Sequence, residues 1–449
     1  MNTKLLRKYD LPVPRYTSYP TVPYWDSTPS EQLWKEKVLS AFDMDQGISL
    51  YIHLPYCEKL CTYCGCNKHI TKNHLVEQPY VESVLKEWSL YLEVLGRRPV
   101  LKELHLGGGT PTFFSPESLR MLVEGITAKA IVPEDADFSF EAHPSSTTWE
   151  HLKTLREIGF KRLSIGVQDF SPIILDIINR QQTAEQVENV TQQARTLGYS
   201  SINYDLIFGL PLQDAQAIRN TMARVAQLRP DRIAFYSYAH VPWIKPSQRA
   251  YSEADLPLGD DKRKLYELGR ALLEAEGYLE IGLDHFALAS DELYHAYESG
   301  ALHRNFMGYT PAHTRLSIGL GASAISDSWD AYVQNEKKIV DYRARVAEGR
   351  LPFFKGHVLT HPDQIIRKHI LNLMCQHETQ WINPALQDDA FLEGIDRMDE
   401  LEKDGLILRA PFSLEVTQEG LPFLRNICQA LDARLWERRP TAPLFSSAI

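Results

Sequence analysis

The sequence has few cysteines, no long apolar run and no excess of positive charge. Six cysteines in 449 residues, with no apolar signal core in the first ten, argue against a disulfide framework. A membrane span needs roughly 18 or more consecutive apolar residues, and no such run is present. The formal net charge of −10 at pH 7 argues against generic nucleic-acid binding. We therefore expect a cytoplasmic monomer that binds neither nucleic acid nor membranes.

Four of the six cysteines nevertheless fall between residues 57 and 66. Cys57, Cys61 and Cys64 have the spacing C-x3-C-x2-C. Three thiolates hold three irons of a [4Fe–4S] cube and leave the fourth iron open to bind a small molecule and pass it an electron. The apolar run 48–54 leads into this segment, which places it at the C-terminal end of a strand, where α/β proteins build their sites.

Two other metal sites compete with this interpretation. Structural zinc usually needs two separated C-x2-C pairs, whereas the remaining cysteines, Cys375 and Cys428, are isolated. Electron-transfer clusters normally have four cysteine ligands, and Cys66 offers a fourth. Its C-x-C spacing to Cys64 makes it awkward for both to bind one cube. The residues therefore favour the cluster with an open iron.

From residue 47 onward, short apolar runs alternate with helical patterns, which is typical of an α/β fold with a parallel sheet. Ser115 with Pro116 predicts a helix start, and capping boxes are expected at Thr147–Glu150 and Thr183–Gln186. The pattern alone does not distinguish an open sheet from a partial barrel. The predicted strands are 48–54, 101–106, 137–142, 161–166, 200–207 and 231–237, with further strands near 278–283 and 316–325.

Three domains are expected. Residues 1–46 form a proline-rich N-terminal arm with a helix over Glu31–Phe42, and residues 47–345 form the catalytic barrel. Residues 346–449 form a mostly helical, winged-helix-like domain, with helices at 363–376 and 391–404 followed by a hairpin. Acidic residues between 388 and 402 disfavour DNA binding there, so we expect this domain to cover the barrel mouth.

The cysteine motif carries a family resemblance. With Tyr63 as the aromatic residue, C-x3-C-x-aromatic-C resembles the signature of radical S-adenosylmethionine (SAM) enzymes. The longer string over Cys61–Lys68, Cys-Thr-Tyr-Cys-Gly-Cys-Asn-Lys, resembles the oxygen-independent coproporphyrinogen III oxidases. Their haem-chaperone relatives lack the Cys66 position. The resemblance covers nearly the whole chain, including 15–20, 107–111, 166–170, 205–211, 284–286 and 303–306.

The resemblance implies an incomplete (β/α)6 TIM-like barrel and a radical SAM oxidoreductase, a coproporphyrinogen dehydrogenase. Such an enzyme converts two propionates of coproporphyrinogen III to vinyl groups in haem biosynthesis. It implies a [4Fe–4S] cluster, two molecules of SAM and a reductant of the flavodoxin or ferredoxin type. A related methylase or cyclopropanase, and a haem chaperone, remain alternative functions.

The resemblance also implies roles for individual residues. Three glycines at 107–109 let the backbone approach a ligand closely, although a tight turn has the same pattern. His143 replaces the aspartate of the family's Glu-x-Asp-Pro pattern and is given no role. The expected metal ligands are Cys57, Cys61 and Cys64. The expected catalytic residues are Cys66, Tyr51 and Glu141. The expected cofactor-binding residues are Tyr51, Tyr63, Gly108, Gly109, Thr110, Glu141, Gln168, Arg180, Asp205, Ala239 and Ile325.

Within this set, Gln168, Arg180 and Asp205 are expected at the second SAM, with Arg180 binding its carboxylate bidentately. By the residues alone, Ala239 and Ile325 are ordinary core positions. Asp284, His285, His303 and Arg304 are expected to contact propionates or to support the residues that do. In the arm, Arg15 offers a fork for a carboxylate, and Tyr16 and Tyr19 offer aromatic faces to the tetrapyrrole. The sequence therefore predicts that the arm acts as a lid.

Overall fold

The computed structural model describes residues 3–381, 387–440 and 444–446. The strands in these ranges are β1 (Ile48–Leu54), β2 (Tyr56–Cys57), β3 (His69–Ile70), β4 (Leu101–Gly108), β5 (Asp137–Ala142), β6 (Arg162–Gln168), β7 (Ser201–Phe208), β8 (Arg232–Ser237), β9 (Tyr278–Gly282), β10 (His285–Leu288), β11 (His303–Asn305), β12 (Gly308–Thr310), β13 (Leu316–Leu320), β14 (Ile325–Asp327), β15 (Ala331–Asn335), β16 (Phe353–Val358), β17 (Glu378–Gln380), β18 (Ile407–Ala410) and β19 (Ser413–Val416).

The α-helices are α1 (Thr3–Tyr9), α2 (Glu31–Ala41), α3 (Glu77–Leu95), α4 (Pro116–Thr127), α5 (Trp149–Glu157), α6 (Pro172–Ile177), α7 (Ala184–Thr196), α8 (Ala215–Leu228), α9 (Gly259–Ala275), α10 (Glu292–Glu298), α11 (Ile339–Ala347), α12 (His361–Gln376), α13 (Asp389–Asp396), α14 (Asp399–Lys403), α15 (Leu424–Leu431) and α16 (Ala433–Glu437). None of the helices in the described ranges combines the length and apolar character of a membrane span.

Seven neighbouring strands of a twelve-stranded sheet are parallel, namely the six predicted barrel strands and β13, which pairs with β1. The sheet order is β16-β15-β14-β13-β1-β4-β5-β6-β7-β8-β10-β9. The parallel strands β1, β4, β5, β6, β7 and β8 are joined by helical segments, so their C-terminal ends share one edge. Because the sheet runs from one edge strand to another, the arrangement is an incomplete barrel and not a closed one.

Alternation along the strands separates the core from the barrel interior. On β7, Ile202, Tyr204 and Leu206 are buried in the main hydrophobic core, while Asn203 and Asp205 face the interior cavity. The core side is covered by helices such as α8, which has an apolar stripe. Polar side chains are therefore gathered inside the barrel.

The six predicted barrel strands are confirmed. Two local predictions are wrong. The segment 316–325 is not one strand, because a turn at Gly321 and Ser323, both with positive φ, separates β13 from β14. The capping box before α5 uses Thr148 with His151, because the Thr147 hydroxyl instead donates to the carbonyl of His143 at 2.9 Å. Ser115 and Thr183 cap α4 and α7 as predicted.

A second hydrophobic core joins the start of the chain to its C-terminal part. Tyr16 and Tyr19 are only 2% and 1% exposed and lie in this core with helices α12, α13 and α15. The prediction that their rings offer open faces to a tetrapyrrole is therefore wrong. Helix α2 begins at Glu31 as expected. It buries Trp34 and Val38 in the main core and not in the second one.

The C-terminal part has the predicted helices and hairpin with two differences. The segment 391–404 contains two helices, α13 and α14, because the helix is interrupted at Arg397 and Met398. Strand β16 pairs with β15, so the main sheet continues past the domain boundary expected at 345. A small sheet of order β17-β19-β18 completes the winged arrangement beside α12.

Candidate active site

The cysteine loop, residues 57–68, lies at the C-terminal edge of the parallel strands. Cys57 ends β2, which pairs in parallel with β3 and closes the base of the loop. The loop is fixed on two sides, since the Thr62 N–H donates to the Ile178 carbonyl at 3.0 Å and His53 Nε2 lies 2.8 Å from the Asn67 carbonyl oxygen. The apolar strand β1 thus delivers the cysteines to the barrel mouth, as predicted.

One cavity of about 300 Å³ collects the four loop cysteines and most of the expected cofactor residues. This volume lies at the lower end of the range for ligand sites, roughly 300–1,000 Å³. The expected residues among its lining are Cys57, Cys61, Tyr63, Cys64, Cys66, Gly108, Gly109, Thr110, Glu141, Gln168, Arg180 and Asp205.

The glycine loop, residues 107–111, approaches the cysteine loop as closely as backbone allows. A Cβ at Gly109 would lie 2.7 Å from the carbonyl carbon of Pro55, and Gly108 has a φ of +115°. The Thr110 N–H donates to the Tyr56 carbonyl at 3.0 Å, and its hydroxyl donates to Cys57 Sγ at 3.3 Å. Gly109 is therefore required because a side chain would collide with the neighbouring backbone. The sequence alone did not show whether the glycines serve such a close contact or a tight turn.

Two carboxyl groups in the cavity wall have pKa values shifted in opposite directions. Burial acts to raise the pKa of Glu141, but contact with His105 and the Gly108 N–H outweighs it and holds this pKa below its usual range. Burial and the charge of Glu141 raise the pKa of Asp205 to about 7. Because the two pKa values move apart, Glu141 is an ionised hydrogen-bond acceptor, whereas Asp205 is partly protonated near neutral pH.

The oxygens of Asp205 already have partners, one on the neighbouring strand β6 and one on β7 itself. Ser164 Oγ donates to Oδ2 at 2.9 Å, and Asn203 Nδ2 donates to Oδ1 at 2.9 Å. Asp205 and Glu141 line both the cysteine cavity and a polar cavity deeper in the barrel. They therefore mark the passage between the two spaces.

Comparison with known proteins identifies the family. Residues 51–225 match the model of the radical SAM superfamily. The chain is 38% identical to the oxygen-independent coproporphyrinogen III oxidase of Pseudomonas aeruginosa, over 96% of this chain and 95% of that protein. It is 37% identical to the oxidase of Escherichia coli K12, over 97% of this chain and 95% of that protein.

The chain belongs to the oxygen-independent coproporphyrinogen III oxidase family. The solved structure of the Escherichia coli coproporphyrinogen III oxidase, described as a radical SAM enzyme, superposes with a TM-score of 0.89 at 35% identity. The match covers 96% of this chain and 98% of that one. The fold and the enzyme class predicted from the sequence are confirmed.

The cavity fits the [4Fe–4S] cluster and SAM that this family uses. A cube binds each thiolate on a different iron, so three thiols need to face one cavity without meeting at one point. Cys57, Cys61 and Cys64 do line one cavity, and no three Cys, His, Asp or Glu side chains in the described ranges surround a single-ion position. The fourth cysteine is next to this set, since a hydrogen bond from Cys66 lowers the pKa of Cys64.

Three of the expected oxidase residues lie away from the cavity lining. The Tyr51 hydroxyl is 3.0 Å from His53 Nδ1, and its ring stacks on His105. The Ala239 carbonyl accepts a hydrogen bond from Gln248 at 3.1 Å. Ile325 begins β14 and packs at the Trp25 cluster. Their assignments to the cofactors stay predictions.

Sequence reasoning missed several residues that line the cavity. They include His143, which was given no role, and Lys68 and Tyr236. His143 follows Glu141 by two positions on the same strand end, so its side chain points to the same side. Burial lowers the pKa of His143, which keeps its imidazole neutral. The alternation of β5 was the signal that would have identified it.

Proposed function

We propose that this chain decarboxylates two propionate side chains of coproporphyrinogen III to vinyl groups without oxygen, giving protoporphyrinogen IX. The observation that carries this proposal is the joint occurrence of full-length family similarity and a C-x3-C-x2-C-x-C loop on one cavity. When bound, the cluster and SAM supply a 5′-deoxyadenosyl radical that removes a hydrogen atom from the substrate. Each propionate then loses CO2 and one electron, so an electron acceptor is also required.

The protein's part in this reaction is to bind, orient and exclude water. Cys57, Cys61 and Cys64 would hold the cluster. The backbone of Gly108 and Gly109, with Thr110, would bind the methionine end of the first SAM. Glu141 is ionised and would accept from SAM's ammonium or hydroxyl groups. Tyr51, Tyr63, Gln168, Arg180, Asp205, Ala239 and Ile325 would complete the sites for the first and a second SAM.

A loop after β8 covers the cysteine loop from outside. Lys245 Nζ donates to the Gly65 carbonyl at 2.6 Å, Ser247 Oγ to that of Thr62 at 3.0 Å, and Gln248 Nε2 to that of Tyr63 at 3.1 Å. These bonds satisfy loop carbonyls that would otherwise need water. Excluding water protects a reactive intermediate from side reactions.

An acidic flavodoxin- or ferredoxin-type protein would supply the electrons, and the cytoplasm would be the site of the reaction. Lys59 and Lys337 are exposed and lie at the cysteine loop, with Lys337 located by the Asn67 amide, which donates to its carbonyl at 3.0 Å. Charge complementarity of this kind speeds association. We expect a monomer.

The test is conversion by anaerobically reconstituted protein given SAM, dithionite, an electron acceptor and coproporphyrinogen III. Cys57→Ser, Cys61→Ser and Cys64→Ser should each abolish the cluster and all cleavage of SAM. Cys375→Ala is the matched control, because Cys375 is buried in the second core away from the cavity. A methylated or cyclopropanated product, or haem transfer without decarboxylation, would refute the proposed reaction.

A further inference from the structure

Each of the three expected cluster ligands has a polar neighbour that is not a cysteine. The Thr110 hydroxyl donates to Cys57 Sγ at 3.3 Å, and Arg180 NH1 donates to Cys61 Sγ at 3.6 Å. Lys68 Nζ donates to the carbonyl of Cys64 at 3.2 Å, which places its ammonium against the third ligand. Two of these neighbours are cations, in a chain with a net charge of −10.

The guanidinium of Arg180 is fixed in this position. Its Nε donates to Gln182 Oε1 at 2.8 Å, NH2 donates to the Gly166 carbonyl, and NH1 also donates to the Tyr63 hydroxyl at 3.2 Å. The residue is only 6% exposed. Each of its three nitrogens donates to a protein group, which holds the guanidinium beside Cys61.

A fixed and buried cation beside a cluster ligand has a defined electrostatic effect. Reduction adds one negative charge to the cluster and transfers no proton to these residues. A nearby positive charge therefore stabilises the reduced form, and the low dielectric of a buried site strengthens the effect. Hydrogen bonds donated to the cluster's sulfur ligands also raise the reduction potential, because they stabilise negative charge on the sulfur atoms.

We propose that Arg180 raises the reduction potential of the cluster through its contact with Cys61. Thr110 raises it in the same way through its hydrogen bond to Cys57. This inference rests on the proposed function only in requiring that the three cysteines hold the cluster. It gives Arg180 a role in addition to the one expected at a second SAM. The two roles differ in when they act, because only the second needs SAM.

The experiment is an anaerobic redox titration of the reconstituted full-length protein with dithionite and mediator dyes. The reduced cluster is followed by its electron paramagnetic resonance signal, without SAM and without substrate. Arg180→Gln should lower the potential by at least the 59 mV that corresponds to a tenfold change for one electron. Arg180→Lys should retain part of the potential, and Thr110→Val, which removes only the hydroxyl donor, should shift it the same way.

Lys59→Gln is the matched control. It removes one positive charge from the same loop, but Lys59 is exposed and its ammonium contacts Gln181, so solvent should screen it and leave the potential unchanged. If Arg180→Gln does not load iron, Arg180→Lys and Thr110→Val decide the outcome. Loaded variants with the wild-type potential would overturn the proposal, and fewer SAM molecules bound per chain would then support the second-SAM role. Wild-type conversion of coproporphyrinogen tests the proposed function separately.

Discussion

Cys66 lies two residues after Cys64, the last of the three expected cluster ligands, and its surroundings differ from theirs. It lies at the exposed end of the cysteine loop, and its thiol donates to Cys64. That hydrogen bond is the main cause that raises the pKa of Cys66 well above the usual value. Cys66 therefore lines the same cavity as the three expected ligands and lies next to one of them.

We expect Cys66→Ser to keep the cluster and lose turnover. Three thiolates suffice for the cube, while Cys66 lines the cavity beside the expected ligands, where the serine side chain differs in size and polarity from the thiol. Iron and sulfide per chain should match the wild type, and protoporphyrinogen formation should fall at least tenfold, about 1.4 kcal/mol. Loss of iron and sulfide in this variant would show that Cys66 is a ligand, and the open-iron interpretation would fail.

At the residue scale, the sequence predicted the cavity better than the individual contacts. Cys57 and Gly109 come shortly after recognisable strands, and Glu141 lies near the end of one. The partners of Arg180 were not predictable, since they come from strands and loops distant in sequence. Tyr16 was misjudged for the same reason, because composition does not show which core a tyrosine joins.

Helix α3 owes its position partly to one buried carboxyl group, Glu87. This residue is fully buried and accepts from the Gly321 N–H at 2.8 Å, the Tyr342 hydroxyl at 2.7 Å and Asn335 Nδ2 at 2.7 Å. It therefore ties α3 to the β13–β14 turn, to β15 and to α11. Burial outweighs these donors and raises the pKa of Glu87 to about 7.

This shift predicts a pH dependence of stability. In the unfolded chain the pKa of a glutamate is about 4.3, so the folded state binds the proton more tightly. The resulting stabilisation is complete below the unfolded pKa and is lost as the pH rises through about 7. Glu87→Gln removes this titration. The stability advantage of the wild type over the variant should shrink between pH 5 and 8, by at most on the order of 3 kcal/mol.

The measurement is the free energy of unfolding in urea at pH 5, 6.5 and 8 for both proteins. Glu82→Gln on the same helix is the control, because Glu82 is exposed and accepts from Gln78 on the helix surface. Parallel pH curves for wild type and Glu87→Gln would contradict the prediction.

At the element scale, the strands were predictable because strands covered by helices are continuous apolar runs. The exceptions were set by single backbone positions. The turn at Gly321 and Ser323 divides an apolar segment that reads as one strand. The break at Arg397 divides an acidic segment that reads as one helix. Neither break involves proline, the strongest sequence signal for an interruption.

The N-terminal arm connects the barrel to the C-terminal helices across the whole molecule. Arg425 Nε donates to the Pro14 carbonyl at 3.0 Å, and the Tyr16 hydroxyl donates to Asp432 at 3.1 Å. On the barrel side, Arg15 NH1 donates to Asp284 Oδ2 at 3.0 Å beside the ring of Tyr236, which lines the active-site cavity. The arm is therefore a connector between the two parts, and its Arg15–Asp284 ion pair reaches the barrel mouth.

We predict that deleting residues 1–20 separates cluster chemistry from substrate conversion. Among the residues that the structure describes, the buried part of the main core begins at Trp34, so the barrel should still load iron and cleave SAM. The second core loses Leu6, Tyr9, Tyr16 and Tyr19, so the helices from α12 onward should become sensitive to proteolysis. Protoporphyrinogen formed per 5′-deoxyadenosine released should fall at least tenfold, about 1.4 kcal/mol of transition-state stabilisation.

Arg7→Gln in the full chain is the control, because the Arg7 side chain is 78% exposed and its replacement should leave the ratio unchanged. An unchanged ratio in the truncated protein would show that the arm does not couple the radical to the substrate.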